Sequence, residues 1–242
     1  MKRPLRRLAI AVAVSAVLAY AGIEGTGYVA RHPQDFPWTD LDLDQRAGLF
    51  TGPKLASLGD EPRRCRALLA NAGSSDRPAP PLIAPPQCGY GDGMKLVRQS
   101  PQALAYRPAG LVTACPVAAA LTIWERDVVR PAARRHFGRE VIAITHAGSY
   151  SCRRVAGQRA YSEHATADAL DIMGFQLAGG RTITVIRDWS SDPASAAFLR
   201  DVRDGACGLF STVLSPDYNR AHADHLHFDQ AARGEYGGRL CS

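Results

Sequence analysis

The sequence predicts an α+β domain with a small, mostly antiparallel sheet that is flanked by helices and held by disulfides. Short β-branched runs alternate with helical runs along the chain, and two adjacent glycines join two of the strand-like runs. Six cysteines are spread widely through the 242 residues. Hydrophobic residues make up 46% of the chain and charged residues 21%, so we expect a conventional packed core.

The first 30 residues have the composition of a targeting segment. Four basic residues in the first seven precede an apolar run over residues 8–23, which is the layout of a secretory signal. Ala19-Tyr20-Ala21 offers a weak cleavage site. The alternative is an uncleaved membrane anchor, for which the apolar run is short, since ~20 apolar residues are needed to cross a membrane. We favour the anchor. In both cases the basic end stays inside, and the remainder is exported to the periplasmic side of the cell envelope.

The net charge of +6 comes mostly from those four N-terminal basic residues. The rest of the chain lacks the dense positive charge that nucleic-acid binding requires. We therefore expect a membrane contact through the N-terminal segment and no nucleic-acid partner.

The chain beyond the targeting segment divides into a linker and a domain. Residues 31–60 are rich in Pro, Asp and Gly, which indicates a linker. Residues 61–242 carry the helical and strand-like runs, so we expect a single domain there.

Three helices are predicted within this domain from apolar periodicity and capping residues. Thr113 is the expected N-cap of the second helix, and Pro131 should kink or restart that helix. Asp192 is the expected N-cap of the third, with Pro193 at its first position. The three helices cover residues 61–71, residues from about 115 to 138, and residues 193–205.

Five strand-like runs are predicted from β-branched residues and short apolar stretches. Gly179 and Gly180 separate the second run from the third, which indicates a hairpin. The runs cover residues 141–145, 171–177, 181–187, 212–214 and 225–229.

An even number of cysteines in an exported chain indicates three disulfides. No two cysteines have the Cys-x-x-Cys spacing, so a cysteine zinc cluster is not expected. Fifteen pairings are possible, and our working prediction is the sequential one: Cys65–Cys88, Cys115–Cys152 and Cys207–Cys241. The alternative is that one or two of these cysteines are free buried thiols.

The histidines give the strongest local signal for chemistry. The chain has seven, and His222, His225 and His227 fall within six residues. On a strand, residues two apart point to the same face, so His225 and His227 should project together. His164 and Asp171 lie upstream and offer further ligands, and two histidines with one carboxylate leave a fourth zinc position open. His222 is expected to make a loop hydrogen bond.

The pattern Ser-x-His-x-x-x-x-x-x-Asp followed by His-x-His resembles the zinc peptidases grouped around lysostaphin, the D-alanyl-D-alanine metallopeptidases and the sonic hedgehog signalling domain. The resemblance implies that fold and a Zn2+ ion on His164, Asp171 and His227. It further implies that His225 acts as general base or transition-state stabiliser. The segment Tyr150-Ser151-Cys152-Arg153 is similar to one in carboxypeptidase members, which makes Arg153 the candidate to hold a substrate carboxylate.

A closer resemblance covers roughly residues 36–241 and is to the bacterial extensin-like C-terminal domain family. It rests on segments spread along the chain: Pro37-Trp38-Thr39, Cys88-Gly89, Tyr150-Ser151-Cys152-Arg153, Ser162-Glu163-His164, Val213-Leu214-Ser215-Pro216 and Asp224-His225-Leu226-His227. Ala167 departs from the peptidase motif, which usually has Gly there. If the position needs positive φ, Ala costs up to ~1 kcal/mol. Asp168 is either a hydrogen-bond partner of a ligand histidine or solvated.

These expectations give two candidate functions. The first is a zinc hydrolase acting on a peptide bond, one that involves a D-amino acid, in peptidoglycan or a related wall polymer. The second is a non-catalytic wall-binding or scaffolding domain that keeps its zinc for stability. An open metal position in a cleft favours the first, and a closed, buried one favours the second.

Overall fold

The computed structural model describes residues 2–84, 86–97, 103–233 and 238–242. Its helices are α1 (Lys2–Arg31), α2 (Thr51–Ala56), α3 (Pro62–Asn71), α4 (Cys115–Trp124), α5 (Arg130–Phe137), α6 (Val185–Asp188) and α7 (Pro193–Ala206). Its strands are β1 (Arg77–Pro78), β2 (Leu82–Ala84), β3 (Cys88–Tyr90), β4 (Met94–Lys95), β5 (Ala105–Arg107), β6 (Val112–Thr113), β7 (Val141–Gly148), β8 (Ala169–Leu177), β9 (Thr182–Thr184), β10 (Thr212–Leu214), β11 (Leu226–Asp229) and β12 (Leu240–Cys241). The chain is therefore a mixture of helix and strand, as predicted.

Seven of the described strands form the main sheet, in the order β12-β10-β11-β8-β7-β5, with β9 also paired to β8. The pairs β10–β11, β11–β8, β8–β7 and β8–β9 are antiparallel, and the outer pairs β10–β12 and β5–β7 are parallel. The prediction of a mostly antiparallel sheet is confirmed. The predicted hairpin is also present, because β8 and β9 are joined through Gly179 and Gly180, both at positive φ. Its second strand is shorter than predicted and gives way to α6.

The helix α4 lies against the sheet and is buried almost along its whole length. Trp124 donates its indole N–H to the Val202 carbonyl of α7 at 2.8 Å, and its ring packs against Phe175 of β8 and Phe228 of β11. A π-helical turn, Glu125–Val129, links α4 to α5. Pro131 has no backbone N–H to donate, and the widened turn lies directly before the helix that contains it.

The N-terminus of α4 corrects one prediction. Its N-cap residue is Ala114, whereas Thr113 belongs to β6. The free backbone N–H of Cys115 is instead satisfied by the Asp92 carboxylate at 3.1 Å. A partner 23 residues upstream supplies the cap, and local sequence patterns cannot reveal such a partner.

The six cysteines form the disulfides Cys65–Cys115, Cys88–Cys152 and Cys207–Cys241. The sequential prediction is right for the third bridge and wrong for the first two. The reason is that α3 packs against α4, which brings the Cα atoms of Cys65 and Cys115 to 6.1 Å. The strand β3 meanwhile packs against the turn Glu163–Thr166, beside the loop that contains Cys152.

The segment of residues 31–60, predicted as a linker, packs closely on the rest of the protein. It contains α2 and a 3-10 turn, Ser57–Asp60. Four of its leucines are almost fully buried in the core: Leu41, Leu43, Leu55 and Leu58.

The helix α1 contains a span, Leu5–Arg31, that is long and apolar enough to cross a membrane. None of this span is buried within the described part of the protein. An N-terminal apolar helix of this kind serves either as a signal or as a membrane anchor.

We predict that a non-reducing digest of the protein yields a peptide joining Cys65 to Cys115 and another joining Cys88 to Cys152. The peptide joining Cys207 to Cys241 is common to both pairing schemes and is the internal control. Replacing both members of the Cys88–Cys152 bridge with Ala should lower the free energy of unfolding by about 2–5 kcal/mol, measured by denaturant titration. A linked peptide containing Cys65 and Cys88 would contradict the structure.

Candidate metal centre

The pairing of β8 with β11 places two of the predicted ligands opposite each other. Asp171 and His227 are direct partners in the antiparallel register. Side chains of directly opposed residues lie on the same face of the sheet, about 5 Å apart at their Cβ atoms. One carboxylate and one imidazole therefore meet without any contribution from a loop.

The third predicted ligand comes from a short 3-10 turn, Glu163–Thr166, that leads into β8. The Ser162 hydroxyl caps this turn by accepting from the His164 backbone N–H. The turn ends at Ala167, which has a φ of 59°. The position does require positive φ, so Ala carries a backbone cost here of up to ~1 kcal/mol relative to Gly.

The three side chains converge at a single point. His164 Nε2 lies 3.2 Å from Asp171 Oδ1 and 3.2 Å from His227 Nδ1, and His227 Nδ1 lies 2.9 Å from Asp171 Oδ1. His164 and His227 are buried, and Asp171 is partly buried. This group of three could hold a metal ion.

The second nitrogen of each histidine is held by an oxygen. His164 Nδ1 lies 2.6 Å from the Ser149 carbonyl, and His227 Nε2 lies 3.2 Å from Asp229 Oδ2. Both oxygens can accept an N–H, and in the neutral form of each ring this leaves the opposite nitrogen as a lone-pair donor toward the cluster. Metal-binding histidines in proteins characteristically have such partners.

The protonation of the cluster follows from its burial and its hydrogen bonds. Burial alone would raise the pKa of Asp171, but hydrogen bonds with His164 and His227 hold it well below its usual range. Burial alone would lower the pKa of His227, but hydrogen bonds with Asp171 and Asp229 raise it to about 9. A proton and a metal ion thus compete for His227 Nδ1, and metal affinity should increase as the pH rises toward that value.

His225 lies beside the cluster, as predicted, although β11 begins only at the next residue. Its Nε2 is 3.6 Å from Asp171 Oδ1, and its Nδ1 is 2.7 Å from Asp224 Oδ1. The Asp224 carboxylate fixes the ring so that Nε2 faces the cluster. His222 makes the expected loop hydrogen bond, with its Nδ1 2.8 Å from Asn219 Oδ1.

A cleft of about 610 Å³ opens onto the cluster. His225 and His227 form part of its wall, and Arg153 lies on its rim with an exposed side chain. Burial lowers the pKa of His222 to about 4, helped by the positive charges of His225, His227 and Arg153. Three of the five predicted site residues, Arg153, His225 and His227, thus line this cleft. The other two, His164 and Asp171, reach it through their cluster with His227.

Two partners in the site were not predicted. Asp229 is two residues beyond His227 on β11, so strand periodicity places it on the same face, and the His-x-Asp spacing was a usable signal. Asp224 precedes His225 directly and belongs to the family segment Asp224–His227, but its spacing alone did not indicate that it would hold the His225 ring.

Asp168 is partly buried, and within the described residues it makes no hydrogen bond to a ligand histidine. Its Oδ1 is buried and has no hydrogen-bond partner among the described residues. Burial, followed by the nearby carboxylates of Glu163, Asp229 and Asp92, holds the pKa of Asp168 well above its usual range. Burial and the neighbouring carboxylates therefore favour the protonated form of the Asp168 carboxyl, next to the turn that carries His164.

Comparison with known proteins gives one family. The model of the family described as extensin-like protein C-terminus matches residues 63–242, which contain all five predicted site residues. The chain belongs to this extensin-like family. No curated protein and no solved structure matches the chain, so the family assignment of this extensin-like protein rests on that match.

We predict that Asp229→Asn weakens zinc binding by about 10–100-fold, because the amide is a poorer acceptor than a carboxylate for the N–H of His227. Competition with a chromogenic chelator measures the affinity. Asp204→Asn, which changes an exposed carboxylate on α7 paired with Arg203, is the matched control and should bind zinc normally. Equal zinc affinities in the two variants would exclude a role for Asp229 in orienting His227.

Proposed function

We propose that this extensin-like protein is an exported, zinc-dependent hydrolase that cleaves a peptide bond in peptidoglycan stem peptides, at a bond that involves a D-amino acid. The observation that carries the proposal is the convergence of three ligand atoms beside a cleft. His164, Asp171 and His227 supply these atoms, all within 3.2 Å of one another. The proposal places the domain on the periplasmic side of the membrane, where the wall polymer is within reach.

The donor set fits a zinc ion. Zinc in proteins is typically tetrahedral, with nitrogen and oxygen ligands at 2.0–2.2 Å, so its ligand atoms are separated by about 3.3 Å. The three atoms here, at 2.9–3.2 Å, form a slightly contracted version of one face of such a tetrahedron. Two histidines and one carboxylate are also a known catalytic zinc set, in which the fourth position stays open.

Zinc, when bound, supplies a Lewis acid that polarises a carbonyl and lowers the pKa of water. The residues of the chain determine where that chemistry acts. His227 lines the cleft, so this ligand connects the cluster to the cavity in which a substrate would lie. A peptide lying in the cleft would thus have a carbonyl beside the cluster.

His225 is the residue that handles the proton. Its Nε2 faces the cluster, and the Asp224 carboxylate, 2.7 Å from Nδ1, fixes the orientation of the ring. An imidazole held in this way accepts a proton at Nε2 and gives it to the leaving amine, or stabilises the developing negative charge. Because His225 is not one of the three ligands, it can act while the metal stays in place.

Arg153 is the residue that positions the substrate. Its side chain is exposed and lines the cleft. The Cys88–Cys152 bridge holds the adjacent residue, which limits how far Arg153 can move. A planar guanidinium pairs with a carboxylate through two parallel hydrogen bonds, so Arg153 would bind the free carboxylate of a stem peptide.

We further propose that the fold is related to that of lysostaphin, the D-alanyl-D-alanine metallopeptidases and the sonic hedgehog domain. The motif order supports this relation, because His164 and Asp171 precede the His-x-His pair at the expected spacing. The scaffolding alternative would keep a metal for stability alone and would need no opening beside it. The cleft at the cluster therefore favours the hydrolase.

We predict that the purified, zinc-loaded protein releases cleaved stems from muropeptides and that His225→Ala lowers this rate by about 10²–10⁴-fold. Zinc content should stay at the wild-type level, because His225 is not a ligand. Chromatography of the products and metal analysis of the same samples measure both quantities.

The matched control is His136→Ala, since His136 forms a similar histidine–aspartate pair with Asp201 at 2.6 Å on the surface of α5. This variant should cleave normally. If His225→Ala cleaves as fast as the wild type, the proposed role is wrong, and absence of cleavage in the zinc-loaded wild type would favour the scaffold.

We also predict that Arg153→Ala lowers kcat/KM by about 10- to 100-fold for peptides with a free carboxylate. This is the loss expected when one charge-assisted hydrogen bond is removed. Substrates with that carboxylate amidated should be cleaved equally well by the variant and the wild type. Arg187→Ala, on the exposed surface of α6, is the control. An equal loss on both substrates would show that Arg153 supports the loop rather than the carboxylate.

A further inference from the structure

A cluster of exposed apolar side chains lies where α1 meets the domain. Trp38 is 73% exposed, Leu49 is 78% exposed and Tyr28 is 48% exposed. The rings pack on one another, with Tyr28 and Phe36 edge to face at 6.2 Å and Phe36 and Trp38 at 5.1 Å. We call Tyr28, Phe36, Trp38 and Leu49 the α1-end patch.

The connection between α1 and the domain is short and is held by hydrogen bonds. The helix ends at Arg31, and the turn Pro33–Asp35 follows directly. Gln34 is 2% exposed, and its backbone carbonyl accepts the N–H of Phe50 at 2.9 Å. Asp35 accepts the N–H of Leu49 at 3.1 Å, which holds that leucine next to the end of α1. Any surface in which α1 ends must therefore meet the patch.

The length of α1 determines what that surface would be. The 27 residues of the span Leu5–Arg31 correspond to about 40 Å of helix, whereas the hydrocarbon core of a membrane is about 30 Å thick. The helix is thus about 10 Å longer than the hydrocarbon core is thick. Tyr28 lies in the last turn of this span, at the level of the polar headgroup layer.

We propose that the α1-end patch docks the domain against the lipid headgroup layer of the membrane that α1 crosses. Tyr and Trp favour this layer because their rings are apolar with a polar edge. Asp40, two residues beyond Trp38, has a side chain that is 97% exposed, which limits the patch to headgroup depth. This inference requires that α1 is retained, and it is independent of the proposed hydrolase activity.

Docking gives the domain a fixed position relative to the membrane. A domain on a flexible tether would sample many distances from the surface. Here the patch and the short connection hold the domain against the membrane surface. The cleft would therefore act on polymer close to the membrane.

Trp38 provides a built-in test. The chain has three tryptophans, and the other two, Trp124 and Trp189, are 0% and 6% exposed. The full-length protein is reconstituted into phosphatidylcholine vesicles that contain lipids brominated either near the headgroup end or near the tip of the acyl chain. We expect the first lipid to lower tryptophan emission more than the second, and we expect this loss to disappear in Trp38→Phe.

Ile186→Trp in the Trp38→Phe background is the matched control, because it places the fluorophore on α6, at a position that is 66% exposed. Its emission should be unchanged by either lipid. The proposal is overturned if Trp38 is not quenched, if the Ile186→Trp variant is quenched equally, or if intact mass shows a mature chain that begins after Ala21. Normal muropeptide cleavage in Trp38→Phe would leave the hydrolase proposal standing whichever result is found.

Discussion

The cross-strand contact between Asp171 and His227 is the interaction on which the candidate site depends. The register of β8 against β11 sets it, and that register is in turn specified by the core. Slipping the pairing by one residue would turn the ligands away from each other and would expose buried residues such as Leu170 and Phe228. One face of this strand pair thus carries the metal ligands, and the other face packs in the hydrophobic core. A change of register would disrupt both.

The surrounding structure supports that pair from both sides. Trp124 packs against Phe228 on β11 and Phe175 on β8, so α4 buttresses the two strands that carry the ligands. The Cys88–Cys152 bridge provides a second support, because it joins β3 to the loop before His164. His164 therefore approaches the cluster from a turn that Ser162 caps and that the nearby disulfide supports, and this turn ends at Ala167 with positive φ. A rigid setting of this kind is what a preorganised site requires, because catalytic groups lose effectiveness when their geometry is loose.

The sequence predicted the elements and the site better than it predicted how distant parts meet. The glycine hairpin after β8 and the Asp192 cap of α7 depend on local chemistry, and both are present. The ligand set was predictable because His-x-His and the upstream His and Asp have a recognisable spacing. Two disulfides, and the capping of α4 by Asp92, could not be predicted, since each joins segments 23 or more residues apart whose proximity depends on tertiary packing. Local propensity contains no information about such partners.

This extensin-like domain carries a His-Asp-His cluster beside a cleft. We propose that one zinc ion binds there to His164, Asp171 and His227. Anomalous X-ray scattering at the zinc edge, from crystals of the purified protein, tests this most directly. We predict one peak within about 2.0–2.2 Å of His164 Nε2, Asp171 Oδ1 and His227 Nδ1. A peak elsewhere, or none at this cluster after zinc is added, would contradict the account.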